Sequence, residues 1–294
     1  DGQGNYAQID HDGDGVPDTE DAHPFDDSRS QYLGVIEAEY NDNPSDANAV
    51  GASAPFNVSG VIGSDVDADY FSFSASAGET VTVGCVKNGD AFEPSLAMAS
   101  PSGNGISTIE PPIAGTPYAE GMSAALSESG NYYLIISDYN NQGDPGFEYS
   151  CNVFVDQDLD ALDDNRELAV GINPEREDMD EDGIPDGAEF HVSTGGNGIN
   201  TDVDGDGLPN WLDRDADGDQ IPDTVEGAED SDQDGISNFA DKDSDGNTIA
   251  DRTEVGNDPK DPVDTDLDGR PNFLDTDDDG DGILDVNDSK RLTR

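Results

Sequence analysis

Between residues 68 and 155, apolar and polar positions alternate with period two. Phe71, Phe73 and Ala75 stand against Tyr70, Ser72 and Ser74, and Val81 and Val83 alternate with threonines. NYYLIIS (131–137) is a further strand-forming run, and the turn signals SAGE, KNGD, SPSGNG and NNQGDPG separate the segments. Successive side chains of a strand point to opposite faces, so each run predicts a half-buried strand. Short strands punctuated at regular intervals predict a β-sandwich over 35–155. A stretch of that length buries one core without metal assistance.

After residue 155 this period disappears, and single apolar residues sit at a fixed place in an acidic frame. The chain carries 69 acidic and 12 basic residues, a net charge of −57. Residues 1–34 hold nine acids, 35–155 hold 16, and 156–294 hold 44 against ten basic residues. A polyanion of this strength has no charge-driven affinity for nucleic acid or an anionic membrane surface. No apolar run reaches membrane-spanning length, so membrane insertion is not expected either. Three regions follow: 1–34, a single acidic loop and linker; 35–155, the sandwich; and 156–294, the acidic repeats. The expected fold class is mainly β, one sandwich plus an irregular region organised by cations.

The acidic frame is D-x-D-x-D/N-x-φ-x-D/N-x-x-D/E, and it occurs nine times. Position 1 is Asp10, Asp156, Asp178, Asp202, Asp215, Asp230, Asp243, Asp264 or Asp277. Position 3 is Asp12, Asp158, Asp180, Asp204, Asp217, Asp232, Asp245, Asp266 or Asp279. Position 5 is Asp14, Asp160, Asp182, Asp206, Asp219, Asp234, Asn247, Asp268 or Asp281. Position 7 is Val16, Leu162, Ile184, Leu208, Ile221, Ile236, Ile249, Arg270 or Ile283. Position 9 is Asp18, Asp164, Asp186, Asn210, Asp223, Asn238, Asp251, Asn272 or Asp285. Position 12 is Asp21, Glu167, Glu189, Asp213, Glu226, Asp241, Glu254, Asp275 or Asp288.

Calcium takes six to eight oxygens at about 2.3–2.6 Å. Carboxylates at positions 1, 3 and 5 converge when the chain curls around an ion. Position 7 offers its carbonyl, and positions 9 and 12 return oxygens to close the shell. These residues are therefore the candidate ligands, and about nine calcium ions are expected. The cage has more oxygens than octahedral magnesium accepts. The apolar side chain at position 7 is expected to turn inward as a peg.

Spacing decides the architecture. Asp202 to Asp215, Asp230 to Asp243 and Asp264 to Asp277 are each 13 residues apart, leaving no room for the flanking helices of an EF-hand. Three two-loop units result, their leading loops marked PNWLD (209–213), SNFAD (237–241) and PNFLD (271–275). Trp211, Phe239 and Phe273 are expected to be pegs beneath each unit. Position 6 departs from Gly at Ala161, Gln220 and Thr248. If that position needs positive φ, β-branched Thr is the costliest residue there. The 243 loop, which also has Asn247 at position 5, is expected to be the weakest.

This pattern resembles thrombospondin type 3 repeats in a cysteine-free, bacterial form, over residues 1–28 and 156–290. The resemblance implies a chain wrapped around a string of calcium ions with little regular secondary structure. The middle region resembles the bacterial pre-peptidase C-terminal domain. The residues that carry this are Glu37, Glu39, Asn41, Asp42, Gly60, Ile62, Gly63, DADYFSFSASAGETVTV (67–83) and SGNYYLIIS (129–137). That second resemblance implies a β-sandwich whose acidic segment, Glu37, Glu39, Asn41 and Asp42, can bind calcium.

Cys85 and Cys151 lie on inward-facing positions of their strands, as two buried thiols or as a disulfide in an oxidising compartment. His11, His23 and His191 are isolated, and neither HExxH nor GxSxG occurs. No enzyme is expected. The reading is a secreted or cell-surface calcium-binding structural protein, adhesive or filament-forming. Its rival is the non-catalytic C-terminal part of a secreted hydrolase whose sandwich docks on an extracellular polysaccharide or protein polymer. Lys290, Arg291 and Arg294 form a basic tail expected to meet the acidic N-terminal segment of a second copy head-to-tail.

Overall fold

The computed structural model describes residues 31–87, 92–109, 114–192, 200–288 and 290–292. The loop expected from Asp10 lies outside the described residues. Two compact units emerge. One holds the described residues up to 109 together with 117–177; the other holds 114–116 and those from 178 onward. The expected boundary at 155/156 thus falls inside the first unit, which keeps the 156 loop with the sandwich.

The first unit is built from nine strands: β1 (Leu33–Ile36), β2 (Asn48–Ala49), β3 (Phe56–Val61), β4 (Ala68–Ala75), β5 (Thr80–Lys87), β6 (Pro94–Ala99), β7 (Glu120–Ala125), β8 (Gly130–Asp138) and β9 (Glu148–Val155). They form a five-stranded sheet, β1-β3-β9-β5-β7, and a four-stranded sheet, β2-β4-β8-β6. The β1–β3 and β2–β4 pairs are parallel, and the remaining pairs are antiparallel. The alternation read from sequence sets which faces meet. Phe71 and Phe73 of β4, Tyr132, Leu134 and Ile136 of β8, Val81 and Val83 of β5, and Val153 of β9 are buried in one core. Phe56 and Phe73 close the core with ring centroids 5.2 Å apart.

Cys85 and Cys151 are directly opposite each other on β5 and β9, and they form a disulfide. Asn57, part of an NVS sequon, lies on β3 with its amide donating to Asn152 (2.8 Å) and Ser150 (3.0 Å) across the sheet. That amide is committed to holding the strands.

The second unit has little regular structure. Its helices are single turns, and each begins at position 9 of a loop: α2 (Asp186–Phe190), α3 (Asp223–Glu226) and α4 (Asp251–Glu254). They follow α1 (Asp164–Val170) of the first unit. The leading loops end instead in 3₁₀ turns, Asn210–Leu212, Asn238–Ala240 and Asn272–Leu274, as does the 277 loop at Asp285–Asn287. Proline at position 8 costs nothing because it stands just before the turn, where its missing N–H has no partner to lose.

Trp211, Phe239 and Phe273 are buried, as pegs. Phe239 packs with Ile184, Ala188, Val192, Ala216 and Ala240, and Phe273 packs with Ile221 and Val255. The position-7 pegs are only partly as expected. Leu162, Ile184 and Ile221 are buried, whereas Leu208 and Ile283 are about half exposed. In the 202 loop the aromatic Trp211 fills the interior, leaving Leu208 to solvent.

Candidate metal sites

The described loops are drawn closed by a few recurring hydrogen bonds, and these explain the backbone. In the 156, 178, 230 and 264 loops the position-1 carboxylate accepts the N–H groups of positions 4 and 6. In the 215, 243 and 277 loops it accepts that of position 6, and the position-4 glycine donates to the position-1 main-chain carbonyl. In the 178 loop Asp178 takes Glu181 at 2.6 Å and Gly183 at 2.9 Å, and Asp230 and Asp264 do the same in their loops. Turning both N–H groups inward puts positions 4 and 6 in the left-handed region. Position 6 has φ between 72° and 102° in all eight described loops, from Ala161 to Gly282. Position 4 has φ between 64° and 78°, a requirement the sequence reading missed. Glycine meets it in four loops (205, 218, 246, 280), while Leu159, Glu181, Gln233 and Leu267 carry the strain elsewhere. The position-5 side chain then accepts the position-7 N–H, as Asp182 does from Ile184 at 2.8 Å and Asp219 from Ile221 at 2.7 Å.

Position 9 has a role the sequence did not reveal. Its side-chain oxygen accepts the N–H of position 2 in every described loop: Asp164 from Gln157, Asp186 from Met179, Asn210 from Val203 and Asp223 from Ala216. Asn238 takes Ser231, Asp251 takes Ser244, Asn272 takes Thr265 and Asp285 takes Asp278. The three asparagines are also committed at their amide ends. Asn210 donates to the carbonyls of Glu189 (3.1 Å) and Asn200 (2.8 Å), Asn238 to the carbonyl of Glu226 (3.3 Å), and Asn272 to Thr265 Oγ1 (3.0 Å). Asn210, Asn238 and Asn272, expected as ligands, thus also act as loop closers.

The carboxylates of positions 1, 3 and 5 converge as the frame requires. In the 156, 178, 202 and 215 loops each triad places one oxygen per residue within 4.8 Å of the others. Position 12 closes these groups differently in the two kinds of loop. Glu167, Glu189 and Glu226 stand on α-helical turns, between 0% and 4% exposed, and neither oxygen of any of them meets a hydrogen-bond donor. Burial, then the negative field of neighbouring aspartates, pushes Glu167 and Glu226 up to about 11 and Glu189 well above the usual carboxylate range. An ionised carboxylate buried without a partner is costly enough that a cation or a proton must accompany it. The donor set is all oxygen, which suits a hard divalent cation.

The two loops of each unit pack closely against each other. An added Cβ on Gly218 would lie 2.5 Å from Asp204 Oδ2, and Gly246 and Gly280 stand in the same relation to Asp232 and Asp266. Position 3 of a leading loop therefore rests on position 4 of its trailing loop. The signal was legible in retrospect, since all three trailing loops of the units have glycine there.

The 243 loop departs from the others. Asn247 donates its amide to Asp245 (2.8 Å) and Glu254 (3.1 Å), and Arg291 bridges Glu254 (2.6 Å) and Asp278 (2.9 Å). Protein donors here occupy oxygens that stay bare in the 156, 178 and 215 loops. Arg291 is thus engaged within its own chain, a correction to the expectation that the basic tail is available to a neighbour. Arg294 lies outside the described residues. Thr248 has φ 73°, the costly conformation for a β-branched residue. Thr248→Gly should raise the stability of the second unit by about 1 kcal/mol, and Gly246→Ala, at φ 68° and against Asp232, should lower it by about as much. Urea unfolding of the two variants beside the parent chain checks both signs.

In the first unit, the 156 loop is part of the sandwich. Asp156 donates its N–H to Thr80 (3.0 Å), and its carboxylate bonds Thr82 of β5 while accepting the N–H groups of Leu159 and Ala161. Burial pushes Asp156 up to about 7. A second acidic group includes Glu37, Asn41 and Asp42 of the segment expected to bind calcium. Glu37 accepts the Val61 N–H (2.9 Å), Asp42 the Ala68 N–H (3.3 Å), and Asn41 is fully buried. Asp67 and Asp69 join them, with Asp69 accepting the hydroxyl of Tyr149 at 2.6 Å. Burial, then its contact with Glu37, pushes Asp69 up to about 8. Asp69 shares the inward face of β4 with Phe71 and Phe73, and an inward acid in an apolar run was its signal. Gly60 must lack a side chain, because a Cβ there would lie 2.5 Å from Tyr149 Oη and 2.7 Å from the Glu37 carboxylate.

No family model matches the sequence, and no curated protein matches it. Among solved structures the chain is similar to the pre-peptidase C-terminal domain of a collagenase from Bacillus anthracis, at 17% identity over 38% of this chain and 97% of that one, with a TM-score of 0.28. It is similar to PliG of Salmonella Typhimurium, a periplasmic lysozyme inhibitor of g-type lysozyme, at 20% identity over 42% of this chain and 97% of that one, with a TM-score of 0.26. CorA, a surface-associated copper-binding protein of Methylomicrobium album BG8, matches at 9% identity over 42% and 98%, with a TM-score of 0.25. Among the described residues no helix is long and apolar enough to cross a membrane.

Proposed function

We infer that the chain is an extracellular calcium-binding structural protein, a non-catalytic surface or adhesive subunit whose acidic loops are made rigid by bound ions. The observation that carries this reading is the set of buried glutamates, Glu167, Glu189 and Glu226, that close three loops without any protein donor. Calcium is the cation proposed. Each loop offers carboxylates and a main-chain carbonyl in a flexible cage, whereas magnesium demands near-ideal octahedral geometry. Free calcium at millimolar level and an oxidising milieu are both extracellular conditions, and the Cys85–Cys151 disulfide fits the second. The small apolar clusters of the second unit leave the ordering of its backbone to be offset mainly by the ions.

Titration calorimetry with calcium and with magnesium tests the reading. The expected result is several calcium ions per chain, with magnesium binding at least about tenfold more weakly. Equal affinity for the two ions, or no binding of either, would contradict it.

A further inference from the structure

The cation groups of the second unit are not each confined to one loop. Asp182 and Glu189 belong to the 178 loop, yet the third carboxylate within 4.8 Å of both is Asp223, position 9 of the 215 loop. Glu189 and Asp223 are fully buried and Asp182 nearly so. Both oxygens of Glu189, and Oδ2 of Asp182, meet no hydrogen-bond donor. Arg214 is the basic group beside Asp182, but its guanidinium donates to the main-chain carbonyl of Asp180. Asp223 meanwhile closes its own loop by accepting the Ala216 N–H at 3.0 Å, which leaves lone pairs on both oxygens for a second partner.

We propose that Asp223 is a ligand of the ion held by the 178 loop, so that one calcium ion staples Asp182 and Glu189 to the following two-loop unit. The proposal rests on the calcium reading above and adds where the loops are joined.

The rest of that unit is arranged for the same purpose. Asn210, position 9 of its leading loop, donates to the main-chain carbonyl of Glu189, while Asp223, position 9 of its trailing loop, faces the Glu189 side chain. The two position-9 residues thus grip one glutamate, by its backbone and by its carboxylate. In the next unit Asn238 donates to the main-chain carbonyl of Glu226 in the same way, and burial, then Asp217, Asp219, Asp223 and Asp251, disfavour the charge on its side chain. In these two units this arrangement accounts for Asn at position 9 of the leading loop and Asp at position 9 of the trailing one. An amide is needed where a carbonyl must be held, and a carboxylate where an ion must be shared. Ions shared in this way couple each loop's occupancy to the next, because an empty 178 site removes the partner that orders Asp223.

Asp223→Asn tests the bridge, since the amide retains an oxygen for the Ala216 N–H while losing the charge. Calcium binding by calorimetry and amide exchange by mass spectrometry would be followed on the whole chain, with Glu189→Gln as a second variant. The expected result is that Asp223→Asn weakens one calcium site by about 10- to 100-fold. It should also speed exchange at Glu181 and Gly183, some 40 residues away, as Glu189→Gln does. The double variant should lose no further site. If Asp223→Asn changes exchange only within 215–226 and leaves every calcium site intact, the bridge is wrong while the calcium reading stands. A parent chain that binds no calcium would sink both.

Discussion

Chelation of calcium at pH 7.5 is expected to open the unit from residue 178 onward while the disulfide-bonded sandwich stays folded. At free calcium a hundredfold above its Kd, each independent site contributes about 2.7 kcal/mol. On the proposed reading the loops from Asp178 to Asp288 depend on several such sites, because their apolar clusters are small. The sandwich has its own core of aromatic and aliphatic side chains and the Cys85–Cys151 bond. It should still lose stability, because Asp156 anchors the first loop to Thr80 and Thr82 of β5 and that loop belongs to the sandwich unit. Limited proteolysis with mass mapping, in calcium and in chelator, reads both effects. Fragments should arise throughout 178–292 in chelator and spare 31–87 and 117–155. Equal resistance of the two regions without calcium would count against this account.

Acidification should reverse part of that opening, the opposite of ordinary acid denaturation. Burial and neighbouring carboxylates hold Glu167 and Glu226 at about 11, Asp223 at about 9, and Asp217 and Glu254 at about 8 in the ion-free fold. In an unfolded chain the same groups titrate near 4. The ion-free fold therefore binds more protons than the unfolded chain across this window, and its stability falls as pH rises. The favourable contribution is complete below about pH 4 and is lost progressively as pH climbs through each raised value. Protons thus take the place of calcium. In chelator, the radius of gyration should shrink as pH is lowered from about 8 toward 5, and small-angle scattering would follow it. A radius that is constant or grows over that range would contradict the assignment of Glu167 and Glu226 as buried and unpartnered.

The period-two runs made the sandwich legible because each strand has one wet and one dry face. The twelve-residue frame made the loops legible because ligands must recur where the chain curls. Position 9 has a second role that the pattern did not show, for a physical reason. Asp and Asn are equally at home as metal ligands and as acceptors of a main-chain N–H, and only the folded loop shows that Asn210, Asn238 and Asn272 do the second. Position 4 escaped notice because Leu159, Glu181, Gln233 and Leu267 are unusual residues for a left-handed conformation. Arg291 was read as a free cation from its place in a basic tail. Its pairing with Glu254 and Asp278 joins groups 37 and 13 residues apart, a closure that local pattern does not encode.

The central claim is that the buried position-12 glutamates close cages around calcium. A crystal structure of the chain grown in calcium, with anomalous data, tests it most directly. A calcium ion is expected about 2.3–2.6 Å from a carboxylate oxygen of Glu167, of Glu189 and of Glu226. The same loops ordered at neutral pH with no ion beside these three glutamates would contradict it.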